Sequence, residues 1–513
     1  MASTSHLTHT PSTSYLVVIL SGPGEELFPL VSTPDVSSDH RPLHPHLAKP
    51  CLPILNRPMI EFGLDWVEES GLSEVLILAS ETQRSSLNTL IKSRKGSAHS
   101  VLQIRLECIP DRQLKREGTT GTLRWAVQEG MIRTAFVLLP CDLYFRSCPQ
   151  PTRNPAQAPV TSSRSLLDLV ERHRAAQNLL TAVFYHRFPD SKDAAPLTLT
   201  TLDPRTGTLL DTHELGPDLS LRPGLLNRFP TPVLTTSLLP THIYLCSALV
   251  PALLNSAAEG RMRSFKHDLV PWLAKAQWQP GLIEKRLIPG KSVGDPSDSQ
   301  SRAYRRTTTH PSPLPASCPS PSSLTRTPLT LPSTPSMAVR NHSMVSMEAV
   351  VASLGAERGE NGRQGWRCEV VVWAAEDGFV GRANTVGGYT ESNRVALKAY
   401  EEEMRRAGKR AEAGTGYALD SCVGTGVVMG EKCSVKKSVV GKCCRIGKGA
   451  RVSNSVLMER VMIGENAKLE NCVLADGVRI GDRAQLKECE VGPGSVVADD
   501  MIYKGERITD SDI

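Results

Sequence analysis

Short apolar runs alternate along the first half of the chain with stretches whose apolar residues recur at helical spacing. Leu16-Val17-Val18-Ile19-Leu20 reads as a buried strand, and Ser21-Gly22-Pro23-Gly24 as the turn that ends it, with glycines that let backbone approach a ligand closely. Pro58 opens a predicted helix to Ser70, with Asn56 as a capping candidate and Gly71 as the stop. Glu74 to Ala79 reads as a strand, Ser85 to Lys92 as a helix, Val101 to Cys108 as a strand, and Phe136 to Cys141 as a buried strand that runs into Asp142. Thr241 to Cys246 is a further strand, and Lys266 to Gln277 an amphipathic helix whose Pro271 must sit near its first turn. This alternation predicts an α/β domain over 15–289, with a mostly parallel sheet covered on both faces.

The pattern breaks in three places. Residues 1–14 are rich in Ser and Thr, and Val31 to Leu47 forms an insertion rich in Ser, His and Pro. From Pro289 to Pro335 there are ten prolines with abundant Ser and Thr. Such a segment buries too little to offset its ordering entropy, so 290–365 is expected to be a disordered linker. Order is expected to return at Trp366: 366–422 reads as a connecting strand, Glu369 to Trp373, and a charged helix to about Ala411. In that helix Glu401 can pair with Arg405 and Glu402 with Arg406. Its charged side suits either a solvated connector or a partner surface.

A period of 17 residues dominates the C-terminal part. Met429, Ile446, Ile463 and Ile480 recur at that spacing, as do Val435, Val452, Leu469 and Leu486, and again Val440, Leu457, Leu474 and Val491. Small residues hold fixed places before these aliphatics, and glycines at 430, 447, 464 and 481 follow the first of each set. Three short sides with tight corners make one triangular coil, so 423–500 is expected to be a left-handed parallel β-helix of about four coils, followed by a 501–513 tail. Cys433, Cys472 and Cys489 then fill corners. β-helices of this kind often carry acyltransferase activity with a histidine base, but the last histidine, His342, precedes the repeat.

Composition narrows the classes that remain. The net charge of +6 is small for 513 residues and no basic run is interleaved with aromatics, so direct nucleic-acid binding is not expected. No apolar stretch approaches the roughly 20 residues of a membrane span, and the N-terminal run is too short for a signal-peptide core. Thirteen cysteines include no Cys-x-x-Cys pair, so neither a metal site nor another cofactor is expected, and a cytosolic protein is.

The chemistry concentrates around the first strand. Gly22 and Gly24, Lys49-Pro50, the turn Glu117-Gly118-Thr119-Thr120-Gly121-Thr122, and Asp142 together resemble the nucleotidyltransferases that build sugar nucleotides, whose Rossmann-like domain carries a Gly-rich loop and a Lys-Pro. The resemblance implies a nucleotide pocket formed by Gly22, Gly24, Lys49, Gly118, Thr119 and Asp142, with Asp142 where those enzymes hold magnesium. It also places Glu26 where they carry a phosphate-binding arginine. Alone, Glu25 and Glu26 are ordinary loop carboxylates. In that place, a contact worth roughly 4 kcal/mol at 4 Å and an effective dielectric of 20 turns into a repulsion of similar size. No catalytic residue is therefore expected. On the acceptor side, Leu239-Pro240-Thr241-His242 replaces the family's turn, and His242 reads as a strand-end residue rather than a base.

A domain of this kind joined to a left-handed β-helix is shared by sugar-nucleotide pyrophosphorylases and by two subunits of eukaryotic translation initiation factor 2B. The altered loop at Ser21 to Leu27, the Arg382-Ala383-Asn384-Thr385 and Asn393-Arg394 segment, and the Val435 to Gly441 coil resemble the second group. That resemblance implies a non-catalytic subunit of a guanine-nucleotide exchange complex. It would pair with the epsilon subunit among other subunits of the factor, and help bind initiation factor 2 for exchange of GDP for GTP. The alternative is an active sugar-nucleotide pyrophosphorylase similar to mannose-1-phosphate guanylyltransferase.

Overall fold

The computed structural model describes residues 15–31, 47–95, 101–147, 165–187, 197–215, 223–256, 262–279, 282, 358–359, 362–363, 366–373, 378–407 and 420–509. The expected 1–14 tail, nearly all of the insertion after Val31, most of the 290–365 linker and the last four residues lie outside them.

In chain order the described elements are β1 (Leu16–Leu20), the hairpin β2 (Pro53–Ile54) and β3 (Arg57–Pro58), α1 (Met59–Glu69), β4 (Glu74–Ser80), α2 (Arg84–Lys95), β5 (Gln103–Ile109) and α3 (Asp111–Gln128). They continue with β6 (Phe136–Pro140), β7 (Leu143–Ser147), α4 (Leu166–Ala175), β8 (Leu180–His186), β9 (Thr198–Asp203), β10 (Thr208–Glu214), α5 (Pro223–Arg228), β11 (Val233–Thr235), β12 (Leu238–Cys246), α6 (Leu249–Ser256) and α7 (Val270–Ala276). Inside the expected 290–365 linker, near its end, lies the short hairpin β13 (Arg358–Gly359) and β14 (Gly362–Arg363), and beyond it come β15 (Cys368–Trp373), β16 (Gly378–Arg382) and α8 (Val386–Arg406).

One sheet of ten strands carries the first domain, in the order β11-β9-β10-β15-β8-β12-β6-β1-β4-β5. β5, β4, β1, β6, β8, β15 and β9 run one way and β12, β10 and β11 the other, so the sheet is mixed and mostly parallel. Alternation along each strand divides the core in two, as a sheet buried on both faces requires. Val18, Leu76, Leu78 and Leu138 point to the side covered by α3, α6 and α7, and Val17, Ile19, Val75, Ile77 and Leu139 to the side covered by α1, α2 and α4.

Several local expectations need correction. β15 lies inside the sheet between β10 and β8, so 366–373 completes the first domain's core instead of connecting it to the next. Its Val370, Val371 and Val372 supply the apolar surface that a strand buried on both sides must have. Asn56 does not cap α1: its backbone is left-handed (φ 61°), and its amide donates to the Val440 carbonyl of the β-helix at 2.8 Å. The expected helix at Lys266 to Gln277 is a π-turn over Phe265–Leu269 followed by α7, because Pro271 is tolerated only in a first turn. In α8, Glu401 pairs with Arg405 at 2.5 Å, whereas Glu402 reaches Arg146.

The β-helix runs from Cys422 to Ile508, in three parallel stacks of six, five and five strands. It is longer than expected, and 502–508 belong to it and not to a tail. The last coil hides from a search for aliphatics, since Tyr503 occupies the place of Leu486 and Leu469. All the inward aliphatics named from the 17-residue period line one core. Each corner is a column of left-handed residues: Lys432, Gly449, Asn466, Arg483 and Asp500; Lys437, Asn454, Asn471, Glu488 and Gly505; Gly426, Cys443, Arg460, Gly477 and Gly494. Asn and Gly suit that backbone, and the coil geometry imposes it on the lysines and arginines.

Candidate functional site

The loop after β1 and the turn at Lys49 are brought together by glycine. Gly24 has φ 86°, and a β-carbon there would lie 3.2 Å from Lys49 Cβ. Lys49 opens a single 3-10 turn, Lys49–Cys51, and is buried, so its ammonium must find a partner inside the protein. It meets Asp142 Oδ2 at 2.6 Å and donates to Asn384 Oδ1 at 2.5 Å.

Asp142 is fully buried at the end of β6. The chain turns there into β7, which pairs antiparallel with β16 so that Leu143 stands opposite Arg382. This register delivers the Arg382 guanidinium to the carboxylate, with Nε 2.9 Å from Oδ1 and Nη2 2.8 Å from Oδ2. The Ala383 amide donates to the Asp142 carbonyl at 2.8 Å, fixing the backbone as well. Burial by itself would raise the carboxyl's pKa, but Arg382 and then Lys49 outweigh it and hold the group far below the usual carboxylate range. Both carboxylate oxygens are thus taken by cations of the chain itself. A divalent ion does not fit this donor set, and among the described residues no group of three or more metal-ligating side chains occurs.

The other half of the expected pocket stands apart. α3 is broken at Gly118 (φ 65°), where a β-carbon would lie 2.5 Å from the Arg263 carbonyl oxygen. Arg263 O accepts from Thr120 N at 2.9 Å, and Thr119 Oγ1 accepts from Phe265 N at 2.8 Å, so the turn is clamped by the segment before α7. Across from it, Gln83 accepts from Ser21 Oγ at 2.5 Å and donates to the Gly22 carbonyl at 2.9 Å. Between them lies a cleft of about 410 Å³ lined by Ser21, Gly22, Glu25, Lys115, Gly118 and Thr119 among others. Its one described ion pair, Glu25 with Lys115 at 3.3 Å, joins two exposed side chains of the rim.

Of the six residues named from the sequence, then, Gly22, Gly118 and Thr119 line a cleft, Gly24 makes room for Lys49, and Lys49 and Asp142 are paired to each other. Glu25 lines that cleft, whereas Glu26 is exposed and not among the lining residues. The sequence reading assigned no role to Arg382 or Asn384, though both lie in a segment it singled out. The same segment's Asn393 accepts from Leu55 N at 3.1 Å, and Tyr389 donates to the Pro53 carbonyl at 2.6 Å, which ties α8 to the β2–β3 hairpin. His242 sits at a break in the β12 register with φ 63°, and its imidazole is driven well below its ordinary pKa by burial and by the nearby Arg382 and Lys266.

A mostly parallel α/β domain in which Lys49 and Arg382 neutralise the buried Asp142, followed by a left-handed β-helix, defines the class. Residues 400–506 match the family model described as the EIF2B subunit epsilon LbH domain. The chain is 24% identical over 277 residues to translation initiation factor eIF2B subunit gamma of Schizosaccharomyces pombe, covering 53% of this chain and 54% of that protein. It is 22% identical over 447 residues to the eIF2B subunit gamma of Dictyostelium discoideum, covering 80% of this chain and 85% of that one. The match thus spans about half the length of the first relative and most of the second. Within its class the chain resembles the gamma subunit of translation initiation factor 2B.

Proposed function

We propose that the chain is a non-catalytic subunit of the translation initiation factor 2B guanine-nucleotide exchange complex in the cytosol. In this reading it pairs with the epsilon subunit and helps hold initiation factor 2 while GDP is exchanged for GTP. The observation that carries the reading is the closure of Asp142 by Lys49 and Arg382, since nucleotidyl transfer needs those charges free to hold phosphates and their metal. A degenerate transferase domain keeps its core and loses its chemistry, which leaves rigid surfaces as the working part.

Purified chain and epsilon subunit, mixed and assayed for GDP release from initiation factor 2, test this. The expected result is a stable complex that releases GDP faster than epsilon alone, with no release by the chain on its own. Absence of a complex contradicts the reading. The cleft at Gly22, Gly118 and Thr119 favours one addition, that it binds a nucleotide or sugar nucleotide as a regulator. Titration calorimetry showing no heat with such ligands would remove it.

A further inference from the structure

Between α8 and one corner of the β-helix opens a cleft of about 560 Å³. Pockets that hold small organic ligands run from roughly 300 to 1,000 Å³. Arg394, Leu397, Lys398 and Glu401 line it from α8, at the spacing of a single helix face. From the other side it is lined by Asp420 and by three left-handed corner residues of successive coils, Lys437, Asn454 and Asn471. Its floor is apolar, since Leu397, Val439 and Val456 are buried there in one cluster.

The charges around this cleft do not cancel. Glu391 engages Arg394 at 2.6 Å, Arg405 engages Glu401 at 2.5 Å, and Asp420 accepts from the Lys437 backbone amide at 3.1 Å. Lys398 and Lys437 are exposed, and among the described residues neither has an ion-pair partner. Two free ammonium groups thus stand against one carboxylate, which favours an anion and above all a phosphate. The side-chain amides of Asn454 and Asn471 also have no partner among the described residues, and they lie one coil apart, about 4.8 Å. An extended peptide repeats its backbone groups on one side every second residue, about 6.7 Å, and falls out of step with that spacing. A nucleobase carries donors and acceptors side by side along one edge of a flat apolar ring, which suits two amides above an aliphatic floor.

We propose that this cleft binds a nucleoside monophosphate. The phosphate lies at Lys398 and Lys437, the base covers Leu397, Val439 and Val456, and its polar edge meets Asn454 and Asn471. The site is separate from the cleft at Gly22, Gly118 and Thr119, and it stands whether or not the chain acts in guanine-nucleotide exchange.

Titration calorimetry of the full chain with AMP, GMP, CMP and UMP, and with ribose 5-phosphate and inorganic phosphate, tests this. The tightest nucleotide is expected to bind about tenfold or more tightly than ribose 5-phosphate or inorganic phosphate, which lack a base. Lys398→Ala with Lys437→Ala should weaken that nucleotide about tenfold or more, and Lys468→Ala on another face of the β-helix should leave it unchanged. Asn454→Gly with Asn471→Gly, which suits the left-handed backbone at both positions, should weaken it by a smaller factor. Acetylation mapped by mass spectrometry reads the unaltered chain: the nucleotide should slow modification of Lys398 and Lys437 and not of Lys468. The proposal is overturned if no nucleotide binds, if ribose 5-phosphate or inorganic phosphate binds as tightly, or if the Lys398 and Lys437 variant keeps full affinity, which would put the nucleotide elsewhere. Tighter binding of an acidic peptide that displaces the nucleotide would overturn it as well, since the cleft would then be a docking place for protein.

Discussion

Asp142 and Arg382 are 240 residues apart in sequence, yet they form a buried two-point ion pair of 2.9 and 2.8 Å. A carboxylate that served a metal would be dispensable for folding. This one neutralises two cations in a dry place. Asp142→Asn is therefore expected to destabilise the chain by about 3–5 kcal/mol, as removal of one partner from a buried pair does. Chemical denaturation measures it. The depressed carboxyl pKa gives the same sign, because the pair's stabilisation is present at neutral pH and is lost only as acid protonates Asp142 in the folded protein.

His173 should make stability depend on pH in a milder range. Burial pushes its pKa down to about 4, and its Nδ1 lies 2.7 Å from Thr181 Oγ1. The unfolded chain binds this proton below about pH 6.5 and the folded chain does not until about pH 4, so stability falls as pH drops between them, by about 3 kcal/mol in all. Melting temperatures across that range should show the decline, and His173→Gln should flatten it.

In the β-helix, the glycine that follows each inward isoleucine is fixed by the next coil. A β-carbon on Gly447 would lie 2.6 Å from the Gly464 carbonyl group. Gly447→Ala is expected to cost about 1–3 kcal/mol or more through overpacking, read from the thermal unfolding of the whole chain.

These cases show what was legible beforehand. Strands such as Leu16–Leu20 and Glu74–Ser80 follow from continuous apolar runs, and the inward aliphatics at Ile446, Ile463 and Ile480 from a period of seventeen, both of which the core enforces directly. The place of β15 was not legible, since Val370 to Val372 read as a strand without saying which sheet would take it. Arg382 and Asn384 escaped for the same reason: ion pairs across 240 and hydrogen bonds across 335 residues leave no local pattern. Asn56 looked like a cap because its role depends on Val440, a residue of the other domain.

Pyrophosphate exchange by the purified chain with magnesium, nucleoside triphosphates and a panel of sugar phosphates tests the central claim most directly. Lys49 and Arg382 seal Asp142, so exchange should not exceed the rate without protein. Magnesium-dependent exchange that Asp142→Asn abolishes while the fold persists would contradict the account.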